Sequence, residues 1–490
     1  MLICYNYSVN EKIKEEKMTN QKENKMGIMP IGKLIFTMSI PMVISMLVQA
    51  FYNVVDSIFV SHYDSVIAGG EAVTQVALSA VNYSFPAQNL MIGVATGTAV
   101  GVNALLSRSL GEKNVEKANK VAANGVFLAF LGYLVFLLFG IFGARAFISF
   151  QTKDAAIIEA GTAYLSTCCI FSFGIFGEII FERLMQSTGR TIYTMYTQGV
   201  GALMNIILDP IFIFGYFGFP AMGAKGAAIA TVAGQIVAFI LGVILNHFKN
   251  KDIKLNFRGF KPDGKIIGGI YAIGVPSMIM MAIGSVTNTT VNKILNGFES
   301  VAKGMGETAV NVFGVYFKLQ SFAFMPVFGL NNGVIPVIAY NYGARNRRRV
   351  LKAILVSVTT IICIMLVALF LMQIIPHKML GLFNASEDML KIGVPALRTI
   401  SISYIFAGVC IGLTSVFQAL GKGIYATIMS FARQLVVLLP AAYLLSLTRN
   451  IDMVWWSYPI AEVMSLAVCI VLFVRLYSKV IKPIPLGEKK

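Results

Sequence analysis

Long unbroken apolar runs, separated by short polar breaks, are the dominant pattern along this 490-residue chain. A helix that crosses a bilayer needs about 20 consecutive apolar residues. Between breaks rich in charge, Gly, Pro or Asn, twelve runs meet that length, at about 33–60, 73–105, 120–143, 157–185, 191–216, 224–247, 266–295, 308–340, 350–375, 390–419, 424–447 and 453–478. A membrane β-barrel would show short segments of alternating polarity instead. The pattern therefore predicts an all-α polytopic membrane protein with twelve transmembrane helices.

Composition supports this. Hydrophobic residues make up 57% of the chain and charged residues only 13%, whereas a soluble domain carries about 25% charged residues. Mean hydropathy is +0.73. A soluble enzyme, a disordered chain and a nucleic-acid-binding module are excluded on these grounds. The six Cys are too sparse for a disulfide framework, and five of them lie in apolar runs as small hydrophobes. No phosphate-binding GxxxxGK[ST] loop is present, which argues against ATP hydrolysis by this chain. His62, His247 and His377 fall in loops or at span ends, with no catalytic constellation beside them.

The net charge of +17 reads as a topology signal. With the N-terminus placed in the cytoplasm, 29 Lys and Arg fall on the cytoplasmic side, 8 on the opposite side and three within spans (Lys318, Arg398 and Arg433). Cytoplasmic loops of membrane proteins carry this excess, and it faces anionic lipid. Both termini are thus expected in the cytoplasm. Residues 1–32 read as a polar tail rather than a signal peptide, because their charges follow the short apolar start.

The chain repeats itself. PMVISMLVQAFYN at Pro41–Asn53 matches PSMIMMAIGSVTN at Pro276–Asn288, an offset of 235. Gly97, Gly101 and Gly111 match Gly329, Gly333 and Gly343 at 232, each trio followed by a basic segment. QSTGRTIY at Gln186–Tyr193 matches QALGKGIY at Gln418–Tyr425, again at 232. Six helices per copy is an even number, so both copies enter from the same side. That defines a parallel repeat, two six-helix lobes about an axis along the membrane normal, as in secondary transporters. The expected organisation is an N-terminal tail (1–32), an N-lobe (33–247), a linker (248–265), a C-lobe (266–480) and a C-terminal tail (481–490).

Ionisable residues inside spans are costly and mark function by default. Asp56 lies late in span one. Asp209 lies 18 residues beyond Thr191 in span five, about 27 Å along the helix. Asn205 sits one turn before Asp209 on the same face, and Thr231 in span six falls at the same level. Two carboxylates, an amide and a hydroxyl thus share the outer half of the first lobe. They suit a shared proton or a small hard cation equally, so H⁺ and Na⁺ stay open, with Asp56, Asn205 and Asp209 as the Na⁺ ligands. The repeat places Val291, Ala441 and Val437 opposite Asp56, Asp209 and Asn205, so the cluster belongs to one lobe only. Gln49, Asn53, Asn288, Glu178 and Glu307 are candidates for a substrate cavity. Against this, Glu178 and Glu182 stand four apart on one face with Arg183 adjoining them, a pattern that suggests a local ion pair, Glu307 suits a solvated loop, and Glu462 suits a structural partner such as Arg433. Part of the 24 Met and 35 Phe would give such a cavity an adaptable wall.

Several segments resemble the MATE (multidrug and toxic compound extrusion) family: IPMVISMLVQAFYNVVDSIFVSHY, GVATGTAVGVNALLSRSLGEKN, QSTGRTIY with NIILDPIFIFG, GAKGAAIATVAGQ, YNYGARNRRR, QALGKGIY and WSYPIAE. The resemblance runs over about residues 31–480 and is nearest to the MepA-like and DinF-like bacterial branch. It implies a V-shaped pair of six-helix lobes in a bacterial inner membrane, with export of cationic amphipathic drugs in exchange for H⁺ or Na⁺. It also implies cation-coupling roles for Asp56, Asn205, Asp209 and Thr231. The related NorM-type pattern adds acidic residues in spans seven and ten; here Asn288 and other uncharged residues occupy those regions. The expectation is a monomeric antiporter without cofactor, acting on small-molecule drugs and not on nucleic acid. A flippase for a lipid-linked precursor is the alternative, which would call for a cavity rich in Arg and Lys. A membrane-embedded enzyme is the remote third reading.

Overall fold

The computed structural model describes residues 24–67, 76–383 and 386–486. The outer parts of both terminal tails lie outside the described residues. Among the described residues, ten single helices are long and apolar enough to span a bilayer, and two bent helix pairs, each taken as one span, bring the number to twelve. In chain order they are α1 (Ile31–Ile67), α2 (Val76–Gly111), α3 (Val115–Gln151), α4a and α4b (Ala155–Ile170, Phe173–Ser187), α5 (Thr191–Phe214) and α6 (Ala224–Lys249). The second six are α7 (Gly264–Asn296), α8 (Met305–Gly343), α9 (Arg347–Ile374), α10a and α10b (Glu387–Ser401, Tyr404–Ala419), α11 (Gly423–Ser446) and α12 (Ser457–Leu476). Shorter helical turns connect several of them.

The repeat is visible in local geometry. Asn114 caps α3 by accepting from the Lys117 amide at 2.9 Å, and Asn346 caps α9 by accepting from Arg349 at 3.1 Å. Such side-chain caps satisfy amides that have no partner within the helix. The residue before each cap, Lys113 or Arg345, has a left-handed backbone, with φ of 55° and 53°. Gly189 and Gly421 close the loops after α4b and α10b with φ of 85° and 74°, a conformation glycine adopts without steric cost. The bends in α4 (43°) and α10 (49°) also occupy equivalent positions.

The lobes meet through the repeated glycines. α2 packs on α7, and its two-fold counterpart α8 packs on α1. A Cβ on Gly97 would lie 2.8 Å from the Gly274 carbonyl oxygen, and one on Gly274 would lie 2.8 Å from that of Gly97. A Cβ on Gly329 would stand 2.6 Å from Val43 Cα. Small residues let transmembrane backbones approach this closely. These contacts lie in the halves of the helices nearest the basic loops, hereafter the basic end.

Candidate functional site

The N-lobe cluster forms where α1, α5 and α6 pack together. Asp209 is fully buried and Asn205 is 3% exposed. The Asn205 amide donates to Asp209 Oδ1 and to Thr231 Oγ1, both at 3.3 Å. Asp56, half-buried on α1, lies within electrostatic reach of Asp209. Three buried oxygens here lack any partner: Asp56 Oδ1, Asn205 Oδ1 and Asp209 Oδ2. Buried polar atoms are normally hydrogen-bonded, so three unpaired acceptors leave an unmet demand for a donor or a positive charge. Their chemistry, oxygen donors of two carboxylates and an amide, fits a proton or a hard monovalent cation.

The other candidates are more scattered. Gln49 sits against Tyr52, whose phenol lies within electrostatic reach of Glu178, Asp56 and Asp209. Glu178 therefore lies near the Tyr52 phenol. The Asn53 side chain lies outside the described residues. Glu307 is exposed in the first turn of α8. The ion pair suggested for Arg183 does not form. Glu182 accepts from Thr197 Oγ1 (2.9 Å) and Gln198 Nε2 (3.0 Å), while Arg183 donates to Gln186 Oε1 (2.8 Å) and to Asn332 Oδ1 (2.9 Å) in the other lobe. Neighbours in a helix point to different faces, and Arg183 thereby bridges the lobes.

A cavity of about 550 Å³ opens within the C-lobe, bounded by α7, α8, α10b, α11 and α12 and by Thr96, Gly97 and Val100 of α2. Among the substrate candidates whose side chains are described, Asn288 lines it. Its wall mixes Met280, Met281, Met325 and Met429 with Phe and Tyr rings and with Gln320, Gln418 and Gln434. A concave, mostly apolar surface with a few polar groups is the usual form of a small-molecule site. One ion pair faces this cavity: Arg433 Nη1 to Glu462 Oε1, 2.9 Å. Sequence reasoning found the pair but assigned it a structural role. The lining Met and Phe carry no signal distinguishing them from lipid-facing ones.

Two six-helix lobes, one holding a drug-sized chamber and the other a cluster of unpaired oxygens, define a secondary membrane transporter. The MatE family profile matches residues 41–211 and 276–444, one match in each half of the chain, and the chain belongs to that family. Among curated proteins it is similar to the multidrug export protein MepA of Staphylococcus aureus strain MSSA476, 27% identical over 443 residues, covering 88% of this chain and 91% of that one. The MepA of Staphylococcus haemolyticus is 26% identical over 432 residues, with the same coverage. Among solved structures, an outward-facing multidrug resistance MATE transporter superposes with a TM-score of 0.85 at 23% identity, covering 94% of this chain and 99% of that one. A MATE complexed with MaL6 gives 0.84 at 24% identity, covering 94% and 100%.

Proposed function

We propose that this protein is a monomeric multidrug efflux antiporter of a bacterial cytoplasmic membrane. It exports amphipathic cationic compounds in exchange for H⁺ or Na⁺, with its basic end and both termini in the cytoplasm. The observation that carries the reading is the pairing of an adaptable Met- and Phe-lined chamber with a separate buried cluster of unpaired oxygens on Asp56, Asn205 and Asp209. The incoming cation satisfies those oxygens and changes how α1 packs on α5. The same helix carries Val43 and Ser39, one on each side of Pro41, at the lobe contact with Gly329 and Gly333. Proline removes a helix hydrogen bond and gives α1 a point of flexure. A shift at Asp56 thus reaches the seam whose opening exposes the chamber to the other side. The ion drives this change only through its different affinity for the two states.

The flippase alternative is disfavoured by the chamber's charge. Its wall holds one Arg, already paired with Glu462, so a polyanionic headgroup meets no free positive charge there. The test is ethidium efflux from vesicles under separately imposed H⁺ and Na⁺ gradients. The expected result is efflux under one gradient that is lost in Asp56→Asn and Asp209→Asn. Folded wild-type protein that moves ethidium under neither gradient sinks the reading.

A further inference from the structure

The chamber's ion pair sits near the repeat equivalent of the N-lobe's oxygen cluster. At the repeat offset of 232, Arg433 corresponds to Gly201 and Glu462 to Ala230. Gly201 lies one turn before Asn205 on α5, and Ala230 immediately precedes Thr231 on α6. The helix pair α11–α12 therefore carries a fixed cation and a carboxylate at nearly the level where α5–α6 carry an amide, a carboxylate and a hydroxyl. In this lobe the positive charge is tethered to the chain.

Neither partner is saturated. Arg433 Nε and Glu462 Oε2 are buried and without partner, although the side chains keep 25% and 11% of their surface accessible. Arg433 projects from a π-helical stretch, Ala432–Leu438, a distortion that recurs at functional sites. Tyr458, one turn before Glu462, has its ring centroid 6.2 Å from that of Tyr316 and 6.4 Å from that of Phe313, and all three rings line the chamber. A carboxylate with an unpaired oxygen beside aromatic rings is suited to receive an organic cation, through charge attraction and the ring faces.

We propose that Glu462 is the chamber's seat for the positive group of an amphipathic organic cation and that Arg433 is a built-in competitor for that seat. Arg433 thereby sets how tightly simple cations are held and speeds their release by returning to Glu462. This deepens the export reading and rests on it for the class of molecule that enters the chamber.

Opposite signs make the idea testable by equilibrium binding of ethidium to purified protein in detergent, with no gradient. E462Q is expected to weaken binding about tenfold and R433Q to strengthen it about tenfold, the scale of a close charge pair. R433K is expected to bind like wild type, and R433Q/E462Q like E462Q. A weakening by R433Q, a gain that survives in the double variant, or equal binding by all variants overturns the proposal. If R433Q does not fold, wild-type protein supplies a second readout. Ethidium should raise phenylglyoxal labelling of Arg433 several-fold by displacing it, and unchanged or lowered labelling overturns the proposal. Loss of ion-driven efflux with this affinity pattern intact sinks only the antiport reading. A flat affinity pattern beside gradient-driven efflux sinks only this proposal.

Discussion

At the scale of single residues, Asn205 organises the N-lobe cluster because its amide is the donor to both Asp209 Oδ1 and Thr231 Oγ1. Asn205→Ala strips one buried and one half-buried acceptor of their donor and is expected to cost about 1–3 kcal/mol. Thr231→Val spares the bond to Asp209 and should cost about 0.5–1.5 kcal/mol. Denaturation midpoints in detergent give the ranking, and an equal or reversed order contradicts the geometry. These residues were legible in the sequence because an ionisable group in an apolar span has few structural reasons to be there. The chamber was not legible, since Met280, Met325 and Phe324 look the same whether they face lipid, core or cavity. Only the packing of five helices decides which way they face.

At the scale of elements, the segment before α1 behaves as a clasp across the basic end. Asn24 donates to the Thr188 carbonyl of the N-lobe at 3.1 Å. From the C-lobe, Arg349 donates to the Met26 and Met29 carbonyls at 3.0 and 2.8 Å and to Asn341 Oδ1 at 2.8 Å, and Asn341 donates to Met26 O at 3.1 Å. Met26 is fully buried. Nothing in its polar composition announces this role, because every partner is more than 160 positions away. Arg349→Ala removes two of the bonds that hold the segment and should loosen the clasp, read as faster thiol labelling of a Met26→Cys reporter. Lys25 opposes docking. Burial, and then the neighbouring Arg190 guanidinium, push its ammonium below the ordinary 10.5. The docked state therefore favours neutral Lys25, and docking should tighten as pH climbs toward 10.5. Lys25→Met should slow the same labelling at neutral pH, and its rate relative to the reporter alone, a ratio that cancels the thiol's own ionisation, should approach one as pH climbs toward 10.5. Labelling accelerated by Lys25→Met contradicts this sign.

The fold's other elements divide in the same way. The twelve apolar runs and their duplication are periodic features of the chain, and the repeated caps Asn114 and Asn346 follow from local chemistry. The bends within α4 and α10 are different. They fall at Phe171–Ser172 and Ile402–Ser403, with no Pro or Gly at the break, so tertiary packing sets them and sequence pattern does not.

At the scale of the whole molecule, the glycine seam defines which conformation this is. The lobes close on one another where the repeated glycines meet backbone, at the end carrying the basic loops. Gly97→Leu places a side chain against Met278 and the Gly274 carbonyl oxygen, which already stands 2.8 Å from the added Cβ position. Backbone cannot yield as a flexible side chain does, so this closure should lose about 1–3 kcal/mol while the lobes themselves keep their packing. An open basic end has no such contact, and the substitution leaves its energy nearly unchanged. The expected outcome is a population shift rather than unfolding. Spin labels at the repeat-equivalent positions Glu116 and Arg348 report the distance between the two basic loops. In wild type they should give one short distance, and in Gly97→Leu a second, longer one. Gly93→Leu meets only the Met281 side chain, at 3.7 Å or beyond, and should leave the short distance dominant. Equal distributions in the two variants would show that the glycine contacts do not hold the basic end closed, and that the clasp from Asn24 to Met29 carries that role alone.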